Sequence, residues 1–214
     1  MCLIKSLTSM RKHPSAGDNA TSLSLIRQGL PYLFNRKGYS FPPLSLFLII
    51  NSRCNMKCQM CDVGCHCEES MFYKNLIGPG AGGRGDFPVE RFETLMDEIK
   101  DFKPFISITS TEPLLYDPLP RAVAAAKSRG ISVNVTTNGL LLVKRYEELF
   151  EAGLQSLTVS LDGPAKIHDR IRGVPGAFEK VLEGIIKLIE LKEKNGSVYP
   201  RISINSVITN LNAS

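Results

Sequence analysis

From Leu44 onward, apolar and polar positions follow two alternating periods. The runs "LSLFLII" (44–50), "FISIT" (105–109), "ISVNVTT" (131–137), "LQSLTVSL" (154–161) and "RISINSVI" (201–208) are short, apolar and rich in β-branched residues. Each reads as a strand. Between the first two runs, Phe92, Leu95, Met96 and Ile99 recur at i, i+3, i+4 and i+7 and predict a helix over 88–102. Pro88 suits its first turn. Further helices are expected over 117–129, ended by Gly130, and over 141–152, ended by Gly153. After the fourth strand, Phe178, Val181, Leu182, Ile185, Ile186 and Ile189 predict a helix carrying all six on one face. Strands alternating with helices across short connections imply right-handed βαβ units, a parallel sheet and an α/β fold. Nearly continuous apolar strands fit a sheet covered on both faces.

The flanks are less regular. Residues 1–43 read as an arm or cap: a polar lead-in, then the amphipathic "SLSLIRQGLPYLFNR" interrupted by Pro31 and closed by "FPP" at 41–43. The core domain is expected over 44–214. At its far end the fifth strand is followed by no fifth helix, so an exposed sheet edge is expected unless a partner or more chain covers it.

Composition narrows the class of protein. The 214 residues are 43% hydrophobic and 22% charged, ordinary for a globular chain with a sizeable core. The net charge of +5 comes from scattered basic residues, which argues against nucleic-acid binding. No run approaches the ~20 apolar residues of a membrane span. The amino terminus lacks the apolar segment and cleavage site of a secretory signal, so a cytoplasmic location is expected.

That location changes how the cysteines are read. Five of the chain's 6 cysteines fall in "CNMKCQMCDVGCHC" (54–67), the first three spaced C-x3-C-x2-C. In a reducing compartment a tight cysteine cluster means metal more often than disulfide. A zinc site, a closed electron-transfer cluster and an open catalytic cluster all remain compatible. The spacing matches neither of the usual ferredoxin patterns. Three thiolates on a 4Fe–4S cube would leave one iron open.

Other polar groups gather at the strands' carboxyl ends, where α/β barrels keep their chemistry. Ser110, Thr111 and Glu112 follow the second strand, and Asn138 and Gly139 the third. Ser160 and Asp162 close the fourth, and Asn205 lies in the fifth. If the sheet is parallel, all share one rim with the cysteines.

The order of these motifs resembles the radical S-adenosylmethionine (radical SAM) enzymes over roughly residues 44–212. Cys54-x3-Cys58-x2-Cys61 is similar to the family's cluster loop, and "TSTEPLLYDP" stands at its glycine-glycine-glutamate-proline turn. "VTTNG" resembles the third-strand ending. "VSLDGPAKIHDRIRGVPGAFEKVLEGI" resembles the fourth-strand segment of peptide-modifying members and sulfatase maturases.

The resemblance implies a partial (β/α) TIM-like barrel with about five of the family's six units. It also implies two cofactors, a 4Fe–4S cluster and SAM. The cluster, reduced by a flavodoxin or ferredoxin, would cleave SAM to methionine and a 5′-deoxyadenosyl radical, which takes hydrogen from the substrate. Cys54, Cys58 and Cys61 would hold the cluster, and Met60 would pack near the adenine. Ser110, Thr111 and Glu112 would meet the SAM amino end. Ser160 and Arg172 would meet its carboxylate and ribose, with Arg170 a rival for the arginine role. Asn138, counted among the SAM-site residues, and Asp162 would shape their turns more than touch SAM. The substrate class it suggests is a peptide. A closed 4Fe–4S carrier, a zinc module or an inactive fragment is the competing reading.

Four features call for a reading of their own. Ser110 and Thr111 replace two glycines, adding Cβ atoms where a backbone would approach SAM. Cys65 and Cys67, flanking His66, read as loop thiols rather than ligands. The glycine-rich stretch from Gly78 to Gly85 lacks a phosphate-loop ending and reads as an insertion or lid. His168 is expected to be a structural contact rather than a base.

Overall fold

A computed structural model describes residues 41–76, 85–109 and 111–213. The expected amino-terminal arm lies outside these residues except for its last three positions. So do Ser110 and nearly all of the glycine-rich stretch. Ser45–Ser214 forms one compact unit.

Five strands form one parallel sheet in sequential order: β1 (Ser45–Leu48), β2 (Phe105–Ile108), β3 (Val133–Thr137), β4 (Ser156–Ser160) and β5 (Arg201–Asn205). All five expected strands are present, each trimmed at its ends. The helices between them are α1 (Met71–Leu76), α2 (Val89–Ile99), α3 (Leu119–Ser128), α4 (Leu142–Glu151), α5 (Ala165–Arg172) and α6 (Ala177–Lys194). The short α1 and α5 were not expected from periodicity. Each is one to two turns long, too short for an apolar stripe to repeat. This sequential parallel order is the α/β, partial-barrel arrangement that the motifs imply.

The strands correct one expectation. They are not apolar on both faces. Ile106, Ile108, Val133, Val135, Leu157 and Val159 point to one side, where they join Phe92, Met96, Leu119, Val123, Leu142, Leu149, Val181 and Leu188 in the core. The register sets Ser107 beside Asn134 and Thr136 beside Thr158 on the other side. Asn134 donates to Thr136 Oγ1 at 3.2 Å and accepts from Thr158 Oγ1 at 3.1 Å. One face is therefore greasy and helix-covered, while across β2 to β4 the other carries Ser107, Asn134, Thr136 and Thr158, a period-2 pattern.

A second correction concerns α6. Its buried positions are Ala177, Val181, Gly184, Ile185 and Leu188, whereas Leu182, Ile186 and Ile189 are exposed. The buried stripe runs i, i+4, i+7 through Val181, Ile185 and Leu188 along the α4 contact. The other three lie on the neighbouring stripe, which this contact does not reach.

Candidate functional site

At the carboxyl ends of the strands, the chain turns back on itself through a buried polar network. Asn51, just past β1, donates its side-chain amide to the Glu112 carbonyl at 2.9 Å. Its Oδ1 accepts from Arg53 N and from Thr111 Oγ1, both at 2.9 Å. The Thr111 hydroxyl also reaches the Asn51 carbonyl at 2.8 Å. The side chain that replaces a glycine here is thus turned into Asn51 and anchors the β1 end to the β2 end.

Glu112 continues the network to β3. Its carboxylate is 0% exposed and accepts three hydrogen bonds: Leu114 N at 2.8 Å, Thr137 Oγ1 at 2.6 Å and Asn138 N at 2.7 Å. Burial pushes this carboxyl up, and the three donors pull it back. Asn138, in turn, donates to Asn55 Oδ1 at 2.7 Å and lies 3.9 Å from Cys54 Sγ. Glu112 is therefore spent on joining loops, which positions the cysteine segment.

The cysteine segment is held from the other side by α5. Gln59 N donates to the Ile171 carbonyl at 2.9 Å. Gly173, at the α5 carboxyl end, has φ +71°, and a Cβ there would stand 2.9 Å from the Lys57 carbonyl oxygen. Gly64 presses on the same spot, where a Cβ would lie 2.7 Å from Cys58 N. The Lys57–Cys58 backbone is thus packed at Cys58 by Gly64 and at Lys57 by Gly173, closer than a residue with a Cβ allows.

Cys54, Cys58 and Cys61 line one cavity of about 290 Å³ together with Met60, Thr109, Thr111, Thr136, Thr137, Asn138, Ser160, Arg172 and Val207. The structure brings together Met60, Thr111, Asn138, Ser160 and Arg172 around the three thiols. Ser110 lies outside the described residues, and Glu112 stands behind the wall. Arg170 turns away and donates to the Leu211 carbonyl at 3.2 Å. Cys65 and Cys67 are absent from the wall. Each follows a tight turn, with Cys65 N bonded to the Cys61 carbonyl and Cys67 N to that of Asp62, both at 2.9 Å. His66 between them adopts φ 56° and stacks on Tyr73 at 5.6 Å. A second cavity of about 300 Å³, beside Ile49, Ser52, Asn75 and Asp86, carries no thiol.

The profile of the radical SAM superfamily matches residues 48–204. The chain belongs to the radical SAM superfamily. It is 30% identical over 139 residues to the AdoMet-dependent heme synthase of Nitratidesulfovibrio vulgaris, covering 64% of this chain and 34% of the relative. It is 31% identical over 156 residues to the Fe-coproporphyrin III synthase of Methanosarcina barkeri, covering 72% and 35%. The chain spans about a third of the length of these curated relatives. In fold it is similar to Streptococcus suis SuiB bound to precursor peptide SuiA, with a TM-score of 0.61 and 22% identity over 97% of this chain and 44% of that one.

Radical SAM proteins use a 4Fe–4S cluster and SAM, and the residues present fit that cluster. Among the described residues no three of His, Cys, Asp and Glu are grouped as a single ion would need. Three thiols stand instead around a common space, and thiolates are the ligands that iron–sulfur clusters take. Burial pushes the Cys54 and Cys58 thiols up, while mutual repulsion with Cys61 adds to this. Iron charge would reverse that balance, since a coordinating thiol is deprotonated outright. Arg172 opposes the rise at Cys58.

Sequence reasoning missed Thr109, Thr136 and Thr137 on this wall. Their signal was available: each lies at the carboxyl end of a strand, where "SIT" and "VTT" break from apolar to hydroxyl residues.

Proposed function

We propose that this chain is the core of a radical SAM enzyme, with Cys54, Cys58 and Cys61 holding a 4Fe–4S cluster and leaving one iron for SAM. The observation that carries the reading is the shared cavity. It takes three thiols from the cysteine segment and polar groups from the ends of β2, β3 and β4, while Cys65 and Cys67 are outside it. When bound, the cluster supplies one electron for reductive cleavage of SAM to methionine and a 5′-deoxyadenosyl radical.

The chain's own residues bind and orient. Ser160 and Arg172, both on the cavity wall, offer donors to the carboxylate and ribose of SAM. Met60 packs with Met56, Cys58 and Ala177 and gives an apolar wall for the adenine. The amino end of SAM would lie by Ser110 and Thr111, with Glu112 holding their loop. The substrate is a peptide, a reading supported by the fourth-strand motif and by the likeness in fold to SuiB, itself bound to a precursor peptide. A flavodoxin or ferredoxin would deliver the electron. Among the described residues no helix is long and apolar enough to cross a membrane.

Anaerobic reconstitution with iron and sulfide tests the reading. A brown protein whose reduced-cluster EPR signal changes when SAM is added is expected. A colourless zinc protein, or a cluster indifferent to SAM, would support the non-catalytic metal module instead.

A further inference from the structure

Arg172 is a buried cation with two neighbours, one anionic and one a thiol. Its Nε donates to Asp162 Oδ2 at 2.6 Å, and its Nη1 lies 3.7 Å from Cys58 Sγ. The side chains of Arg172 and Asp162 are only 9% and 0% exposed. Because a guanidinium is a rigid plane, fixing Nε also fixes where Nη1 points.

Asp162 is held firmly enough to do the fixing. Its Oδ1 accepts from Val207 N at 3.0 Å, and its carbonyl accepts from Asn212 Nδ2 at 2.8 Å. Its own N–H donates to His168 Nδ1 at 3.3 Å. On the thiol side, Gly64 packs against the Cys58 backbone and Gly173 against that of the preceding Lys57. Both ends of the Nη1–Sγ contact are therefore held. The guanidinium stands between Asp162 and Cys58, so the pair turns its positive end to the sulfur. The comparable contact at Cys54 is weaker in kind, because Asn138 is neutral and its Nδ2 stands 3.9 Å from that sulfur.

Resting on the cluster reading above, we infer that Arg172, aimed by Asp162, donates a charge-assisted hydrogen bond to the Cys58 thiolate and raises the cluster's reduction potential. Reduction from the 2+ to the 1+ state adds one electron, and part of that charge falls on the ligating sulfurs. A fixed cation at the sulfur stabilises the reduced state more than the oxidised one, and hydrogen bonds to sulfur are an established lever on such potentials. Low local polarisability strengthens the effect. Arg172 then does two jobs: its Nη1 sets how readily the cluster accepts an electron, and the residue also lines the SAM cavity.

The test is the midpoint potential of the 2+/1+ couple, measured in SAM-free protein by EPR-monitored potentiometry with dithionite as the electron source. The full chain is compared with Arg172→Met, Arg172→Lys and the double variant Asp162→Asn/Arg172→Met. The double variant leaves no buried carboxylate unpaired, so it keeps the test alive if the single change prevents folding. Arg172→Met is expected to make reduction about tenfold less favourable, a shift of about 59 mV to more negative potential for a one-electron couple. Arg172→Lys recovers part of this, and the double variant shifts in the same direction. A cluster that assembles in these variants with its reduction equilibrium within about twofold of the parent overturns the inference and leaves Arg172 to SAM alone. Failure of the parent chain to assemble any 4Fe–4S cluster overturns the underlying reading, and the inference with it.

Discussion

Replacing Glu112 by alanine separates a carboxylate that joins loops from one that merely lines a site. In the folded chain its two oxygens accept from Leu114 N, Thr137 Oγ1 and Asn138 N at 2.6–2.8 Å, with no solvent exposure. Alanine strands all three donors in the interior, at about 1–3 kcal/mol each. Removing a buried charge returns part of that, which favours the lower end, so a net loss of about 3 kcal/mol is expected. For a domain of this size each kcal/mol moves the melting temperature by about 2–4 °C, giving a fall of roughly 6–12 °C. Glutamine keeps two of the three bonds and is expected to lose less than half as much. Denaturant and thermal unfolding under anaerobic, reducing conditions read both variants. An alanine variant within about 1 kcal/mol of the parent would refute the assignment of three structural bonds to this carboxylate.

Three further outcomes follow from the same geometry. Cys58→Ser is expected to abolish iron binding on reconstitution, whereas Cys65→Ser retains it, because Cys65 is absent from the cavity wall; equal iron loss in both would point to four-cysteine ligation. Gly173→Ala puts a Cβ 2.9 Å from the Lys57 carbonyl in a backbone with φ +71°. A loss of about 1–3 kcal/mol and lower iron content per chain are expected, and an unchanged denaturation midpoint would contradict the close approach. His168 is fully buried with Nδ1 accepting from Asp162 N, so it is neutral. Burial first, and Arg172 second, depress its pKa below 6.5 against the pull of Asp162, Asp169 and Glu179. The unfolded chain therefore takes up this proton at higher pH than the folded one. The stability it lends is present above pH 6.5 and is lost as pH falls through the folded value. Denaturation midpoints between about pH 7.5 and 5.5 are expected to fall for the parent and to stay flatter for His168→Gln.

Much of the fold was legible because the parallel sheet writes itself in short range. Each strand is a compact β-branched run, and each of the longer helices repeats its apolar residues. The two-faced sheet was legible too, in the alternation of Ile106, Ser107, Ile108 and of Val133, Asn134, Val135, but general apolarity masked it. On α6 the period gave the helix yet not its buried edge, since Leu182 and Leu188 are equally apolar and only the contact with α4 tells them apart. The site divides in the same way. Cys54, Cys58 and Cys61 announce themselves by spacing within one segment. The partners that give Glu112 and Arg172 their roles stand 25 and 26 residues away for Glu112 and 114 away for the Arg172–Cys58 contact. No local pattern encodes such pairings. The departure from glycine at Thr111 was visible, but its purpose depended on Asn51, 60 residues earlier.

The central claim is that three thiolates leave one iron for SAM, and Mössbauer spectroscopy of the chain reconstituted with isotopically enriched iron tests it most directly. Without SAM the oxidised cluster is expected to give a 4Fe–4S spectrum. On adding SAM, one iron in each cluster should separate from the other three, marking a change in its coordination alone, and Cys65→Ser should behave identically. Four irons that remain indistinguishable with and without SAM, in a protein that holds a full cluster, would contradict an open iron and the function built on it.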